Sequence, residues 1–122
     1  MINMFSKFKK FLRRKKNKKI TKVSKFMNKN PTYYKYKIGI GSYGFPTIND
    51  WNDGTKLFIG NYCSFADNIT ILLGGEHHTN WITTYPFKTL GNPDLNLNCD
   101  RKSKGNVVIK NDVWISKNVI IL

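Results

Sequence analysis

Acidic residues are absent from the first 37 positions of this 122-residue chain, which hold fourteen Lys or Arg. The remaining seven basic residues are matched by seven acidic ones, so residues 38–122 are formally neutral and the net charge of +14 belongs to the N-terminal third. A neutral domain lacks the electrostatic footprint of a nucleic-acid binder, and no nucleic-acid partner is expected for it. Cysteine is also scarce: Cys63 and Cys99 form no CxxC pair, which excludes a disulfide framework and a cysteine zinc site. No stretch approaches the roughly 18 consecutive apolar residues of a spanning helix, and no signal peptide with an apolar h-region is present. A cytoplasmic protein is expected. There is no GxSxG elbow, and the two histidines, His77 and His78, are adjacent rather than at HExxH spacing, so neither a serine nucleophile nor a metal is expected.

The length allows one folded domain and a tail. In residues 1–30, Phe5, Phe8 and Leu12, with Met1, Met4 and Phe11 less regularly, fall on one side of a potential helix whose other positions are Lys and Arg. Such a helix lies on an anionic membrane with its apolar side down, which would make the protein peripheral at the inner membrane surface. A solvated, disordered charge run fits the same composition, and nucleic-acid contact by the tail alone is a third reading.

Composition changes after Asn30-Pro31, and the domain is expected to run over 31–122. Ile38-Gly39-Ile40-Gly41 lacks the GxGxxG order of a dinucleotide fingerprint. Pro46 and the cluster Asn49 to Gly54 read as a turn or loop. From Leu57 a period of six takes over: Ile59, Phe65 and Ile71 form one row, and Leu57, Cys63 and Ile69 another. The same two rows return as Ile109, Ile115, Ile121 and Val107, Val113, Val119. A helix or a simple alternating strand does not produce this; a short strand plus a turn, repeated around a triangular prism, does. The fold class expected is an all-β parallel β-helix. Because the coils are few and Val119-Ile120-Ile121-Leu122 ends on an apolar run, the coil is expected to be incomplete at its C-terminus. Cys63 occupies an inward position and is expected to pack in the core rather than react.

An interruption over 72–105 breaks the rhythm and carries both histidines. Long loops on a rigid scaffold are where function concentrates. A histidine there can act as a general base near neutral pH. The run IGNYCSFADNITILLGGEHHTNWITTYPF, followed by VVIKNDVWISKNVIIL, closely resembles the hexapeptide-repeat O-acetyltransferases related to type B chloramphenicol and streptogramin acetyltransferases, in the branch found with polysaccharide biosynthesis. The resemblance spans roughly Lys37 to Leu122. It implies a left-handed coil, a homotrimer with sites between subunits, and acetyl transfer from acetyl-CoA to a hydroxyl of a sugar or cell-surface polysaccharide precursor, or alternatively of an antibiotic. An inactive scaffold is the reading from outside enzymology.

By that resemblance His77, directly after the GGx turn, is the catalytic base. His78 stands where the family usually has Arg, and Asn80 where it has Asp. Tyr43 and Trp81 would line the acceptor site, and Trp114 falls where the family places an aromatic at the active-site cleft; each could equally pack between coils or subunits. Lys110 and Ser116 replace the glycine usual after the hexad isoleucine. The family continues with further coils that help bind CoA, so the chain is expected to be C-terminally truncated relative to it.

Overall fold

A two- or three-residue strand that buries alternate side chains cannot form a core alone and must stack on copies of itself. The computed structural model, which describes residues 24–91, 94 and 101–122, shows that stacking. The first stack consists of β1 (Lys37–Ile38), β3 (Leu57–Ile59) and β8 (Val107–Ile109), all parallel. The second pairs β4 (Ser64–Phe65) with β9 (Trp114–Ile115), and Tyr43 bridges to Ser64 on the other side. The third joins β2 (Thr47–Asp50), β5 (Thr70–Leu73) and β10 (Ile120–Ile121). The chain therefore visits the three stacks in the same order on each of three passes.

Both inward rows of the second pass are buried, with Leu57, Ile59, Cys63, Phe65, Ile69 and Ile71 all at or below 5% exposure. Full burial of a side chain such as Ile71 contributes about 1.5–3 kcal/mol. In the third pass Val107, Ile109 and Ile115 are buried, while Val113, Val119 and Ile121 pack against them half-buried. The middle pass is covered on both sides and the outer one on a single side.

One expectation about the first pass needs correction. Asn49 and Asp50, read as the start of a turn or loop, belong to a strand, Thr47–Asp50, that is paired along its whole length with β5, and the first pass reaches all three stacks. Asn49 and Asp50 are poor strand formers, but they pair with Leu72 and Leu73, whose backbone groups need partners wherever the side chains point. Only Ile48 carries the inward pattern, too little to reveal the strand.

The corners repeat as faithfully as the strands. Tyr62 and Asp112 both have left-handed backbone, with φ of +60° and +56°, as do Asn68 and Asn118, at +58° and +63°. Gly41 takes the same conformation one pass before Tyr62, and a Cβ there would run into the Tyr62 ring. Asparagines of the third pass then bond back to the second at every corner. Asn106 Oδ1 accepts from the Lys56 N–H at 2.9 Å, Asn111 Oδ1 from the Asn61 N–H at 2.8 Å, and Asn118 Oδ1 from the Asn68 side-chain amide at 2.7 Å. Each partner lies 50 residues earlier.

Ahead of β1, single 3₁₀ turns at Met27–Lys29 and Pro31–Tyr33 close against the first pass. Met27 is fully buried and its N–H bonds to the Ser42 carbonyl at 2.9 Å, while the buried Tyr33 hydroxyl donates to the Pro46 carbonyl at 2.9 Å. The packed unit thus takes in Met27 and Asn30, upstream of the composition change at Pro31. Residues 1–23 and Cys99 lie outside the described residues, and the helical reading of the tail lies there with them.

Candidate functional site

The interruption leaves the third stack after Leu73 and re-enters the first stack at Val107, so both of its ends fall on the corner that the preceding pass turned at Trp51 to Lys56. That earlier corner holds both ends. At the departure, Asp53 Oδ2 accepts the Gly75 N–H at 3.2 Å, and Gly75, at φ +76°, lies so close over the Trp51 indole that a Cβ would overlap the ring. At the return, the hydroxyls of Thr55 and Ser103 are hydrogen-bonded at 2.5 Å. Hydrogen bonding from the Thr55 side chain, then from the Thr55 and Gly75 N–H groups, together with attraction to Arg101, holds the Asp53 carboxyl below its usual range.

Between these anchors the loop starts as an antiparallel ladder of β6 (Glu76–His77) with β7 (Arg101–Lys102), placing His77 opposite Arg101. An ion pair between Glu76 and Lys104, 3.4 Å, adds to the ladder, though Lys104 is largely in solvent and such pairs contribute little. Beyond β6, the His78 and Trp81 rings stack with centroids 4.0 Å apart, and Tyr85 meets Phe87 edge-on at 4.7 Å.

The His77 backbone is fixed by the ladder and its ring by a second contact: Nδ1 lies 2.7 Å from the Thr84 carbonyl oxygen. A carbonyl can only accept, so Nδ1 carries the hydrogen in this contact. In the neutral imidazole the lone pair is then on Nε2, the tautomer that a proton acceptor needs. His77 is exposed, so Nε2 is within reach of an incoming group.

The other residues singled out in the sequence are distributed differently. Trp81 is half-buried, in the same loop as His77, but its ring lies on His78. Tyr43 and Trp114 stand on either side of Ser64 in the second stack, 48% and 75% exposed, whereas His77 extends from the third. One chain therefore pairs Tyr43 with Trp114 in a column and His77 with Trp81 in a loop. Cys63 is fully buried, its Sγ 3.0 Å from the Lys110 carbonyl oxygen, in keeping with an inward packing role. Among the described residues, no group of three or more His, Cys, Asp or Glu converges as a metal site would require.

Sequence reasoning did not find Asp53, Thr55, Ser103 or Thr84. Asp53 sits in a stretch read only as a turn and Thr55 just follows it, and their partners are 22 and 48 residues away with no period to link them.

No family model matches the chain. Its curated relatives include a protein named "Probable macrolide acetyltransferase" from Lysinibacillus sphaericus, 38% identical over 76 residues, which covers 57% of this chain and 41% of the relative. A chloramphenicol acetyltransferase from Klebsiella aerogenes is 33% identical over 84 residues, 66% of this chain and 39% of the relative. A chloramphenicol acetyltransferase from Agrobacterium fabrum (strain C58 / ATCC 33970) is 34% identical over 71 residues, 55% and 34% of the two chains. The chain spans about two fifths or less of the length of the relatives it matches, and the names of those relatives agree with the acetyltransferase resemblance read from its motifs.

Proposed function

We propose that this chain supplies the base-bearing part of an acetyl-CoA-dependent O-acetyltransferase that acts on a hydroxyl of a sugar or cell-surface polysaccharide precursor. The observation that carries the reading is the His77 ring, whose Nδ1–H is held by the Thr84 carbonyl so that Nε2 is left as a proton acceptor on an exposed loop. Nε2 takes the proton from the acceptor hydroxyl as its oxygen attacks the thioester carbonyl of acetyl-CoA. The tetrahedral intermediate collapses with cleavage of the C–S bond, and the imidazolium returns its proton to the departing CoA sulfur. Products are the acetyl ester and CoA, with no covalent enzyme intermediate and no metal in the scheme.

The proposal includes a left-handed coil and a homotrimer. Self-association is supported by the outward side chains of the stacks, where Val108, Trp114 and Ile120 are 54%, 75% and 64% exposed. It would bring Tyr43 and Trp114 of one subunit toward the His77 loop of another, the arrangement in which all four aromatic and histidine residues share a site. Among the described residues no helix is long and apolar enough to cross a membrane, and the proposed membrane contact is made by the basic tail.

A second reading, acetylation of an antibiotic hydroxyl, is favoured by the names of the relatives. Thiol release from acetyl-CoA, measured with oligosaccharide, chloramphenicol and macrolide acceptors, separates the two. His77→Ala is expected to reduce turnover about 10²–10⁴-fold with the preferred acceptor. Equal turnover in wild type and variant would sink the base assignment, and no release with any acceptor would leave a scaffold.

A further inference from the structure

A groove of about 490 Å³ lies at the corner turned at Trp51 to Lys56, lined among others by Lys35, Tyr36, Lys37, Asp50, Lys56 and Phe58. His77 does not line it, and nothing in the acetyl-transfer scheme uses it. Its charge is uneven: Lys35 Nζ is matched by Asp50 at 2.6 Å, which leaves the ammonium groups of Lys37 and Lys56 as net positive charge on the wall. Lys37 Nζ sits 5.6 Å from the centre of the Phe58 ring, so charge and aromatic surface are presented side by side.

The polar groups of the groove are partly committed. Asp50 accepts from Lys35 and from the Asn52 N–H at 2.8 Å, and a carboxylate offers about four lone-pair sites, so it has capacity left for hydroxyl donors. Burial, then the Asp50 charge and a hydrogen bond to that carboxylate, push the Tyr36 phenol up, so Asp50 and Tyr36 form one hydrogen-bonding pair on the groove wall. Two ammonium groups without an ion-pair partner among the described residues, a carboxylate with spare acceptor capacity, a phenol and an aromatic face, in a volume within the usual range for small-ligand sites, select for a ligand that carries both an anion and several hydroxyls.

We propose that this groove binds an anionic saccharide, a sugar unit bearing a phosphate group, with Lys37 and Lys56 on the phosphate and Asp50 and Tyr36 on the hydroxyls. The site is independent of whether His77 catalyses acetyl transfer.

The basic tail also attracts anions, so the test must separate the two. Calorimetric titration of the 122-residue chain with glucose 1-phosphate, glucose and inorganic phosphate compares the wild type with Lys37→Gln/Lys56→Gln and with Lys15→Gln/Lys16→Gln, which removes the same charge from the tail. Lys37 and Lys56 are exposed, so the first pair is expected to leave the thermal midpoint unchanged. Glucose 1-phosphate is expected to bind about tenfold more tightly than glucose or phosphate, and to lose about tenfold in the groove variant but under about twofold in the tail variant. Equal losses in both variants, inorganic phosphate binding as tight as the sugar phosphate, or no binding at millimolar ligand would each overturn the proposal.

Discussion

Asp53 accepts the Gly75 N–H at 3.2 Å through Oδ2 while its Oδ1 accepts the Thr55 N–H at 3.2 Å, so one carboxylate ties the corner of an earlier pass to the start of the loop that carries His77. Replacing it with Asn keeps the volume but turns one acceptor into a donor. With Oδ1 retained on Thr55, the new amide faces the Gly75 N–H, donor against donor. Asp53→Asn is expected to speed amide exchange at Gly75 while leaving the Lys56 amide, bonded to Asn106, protected. The loss of stability should be at most about 1 kcal/mol because the site is open to water. Turnover should fall through kcat more than KM, as expected of a positioning residue. Unchanged exchange at Gly75 would show that Asp53 does not restrain the loop.

Gly75→Ala tests the same anchor from the other side. Its φ of +76° disfavours any side chain by about 1–2 kcal/mol, and the added methyl also meets Trp51. Combining it with Trp51→Ala removes the overlap but leaves the backbone strain. The double variant is expected to recover part of the stability lost in Gly75→Ala, measured by urea denaturation. A double variant as stable as wild type would mean that the ring alone matters.

Lys35 and Asp50 give the domain a predictable response to acid. The Lys35 ammonium at 2.6 Å, then the Asn52 N–H, holds the Asp50 carboxyl below its usual range, and Asp50 is only 11% exposed. Its folded pKa is thus lower than the unfolded value near 3.9, so the unfolded chain takes up the proton first as pH falls. The stabilisation is complete above about pH 4–5 and is lost as pH drops through the folded pKa. Asp50→Asn should flatten the acid limb of a urea-midpoint profile taken from pH 6 to 2. An acid limb as steep as wild type would place the sensitivity elsewhere, with Asp53 the next group to test.

Cys63→Ala distinguishes packing from chemistry. Removing a fully buried thiol whose Sγ lies 3.0 Å from the Lys110 carbonyl oxygen should destabilise by about 1–2 kcal/mol and leave thiol release from acetyl-CoA unchanged. In the wild type, Cys63 should be unreactive toward thiol reagents until the protein is unfolded. Loss of turnover in a folded Cys63→Ala variant would reopen the question of a nucleophile.

The inward rows were legible because they are periodic. Leu57, Cys63 and Ile69, and Ile59, Phe65 and Ile71, announce their burial through spacing alone, since each takes the place in the coil that the residue six positions earlier takes one strand before. Thr47–Asp50 was not legible, because a strand of Thr, Ile, Asn and Asp is made by its partner β5 and not by its own composition. The candidate site divides in the same way. His77 is singled out as a candidate by its motif and its place in a break of the rhythm. The Thr84 carbonyl that sets its tautomer is a backbone atom in an aperiodic loop, and Asp53 meets Gly75 at the start of that loop only once the passes are stacked. Contacts made by folding between aperiodic segments leave no spacing to read.

The asparagine contacts at the three corners join residues 50 positions apart, and the strands between them keep the same offset. A loop inserted at one corner has therefore left the phase of the stack undisturbed at the other two. Its length and composition are free to change by insertion, deletion or exchange without moving a single inward residue, provided its ends still meet at Gly75 and Ser103. The part of the molecule that bears His77 is thus an exchangeable cassette, and variation in it can be selected without renegotiating the core.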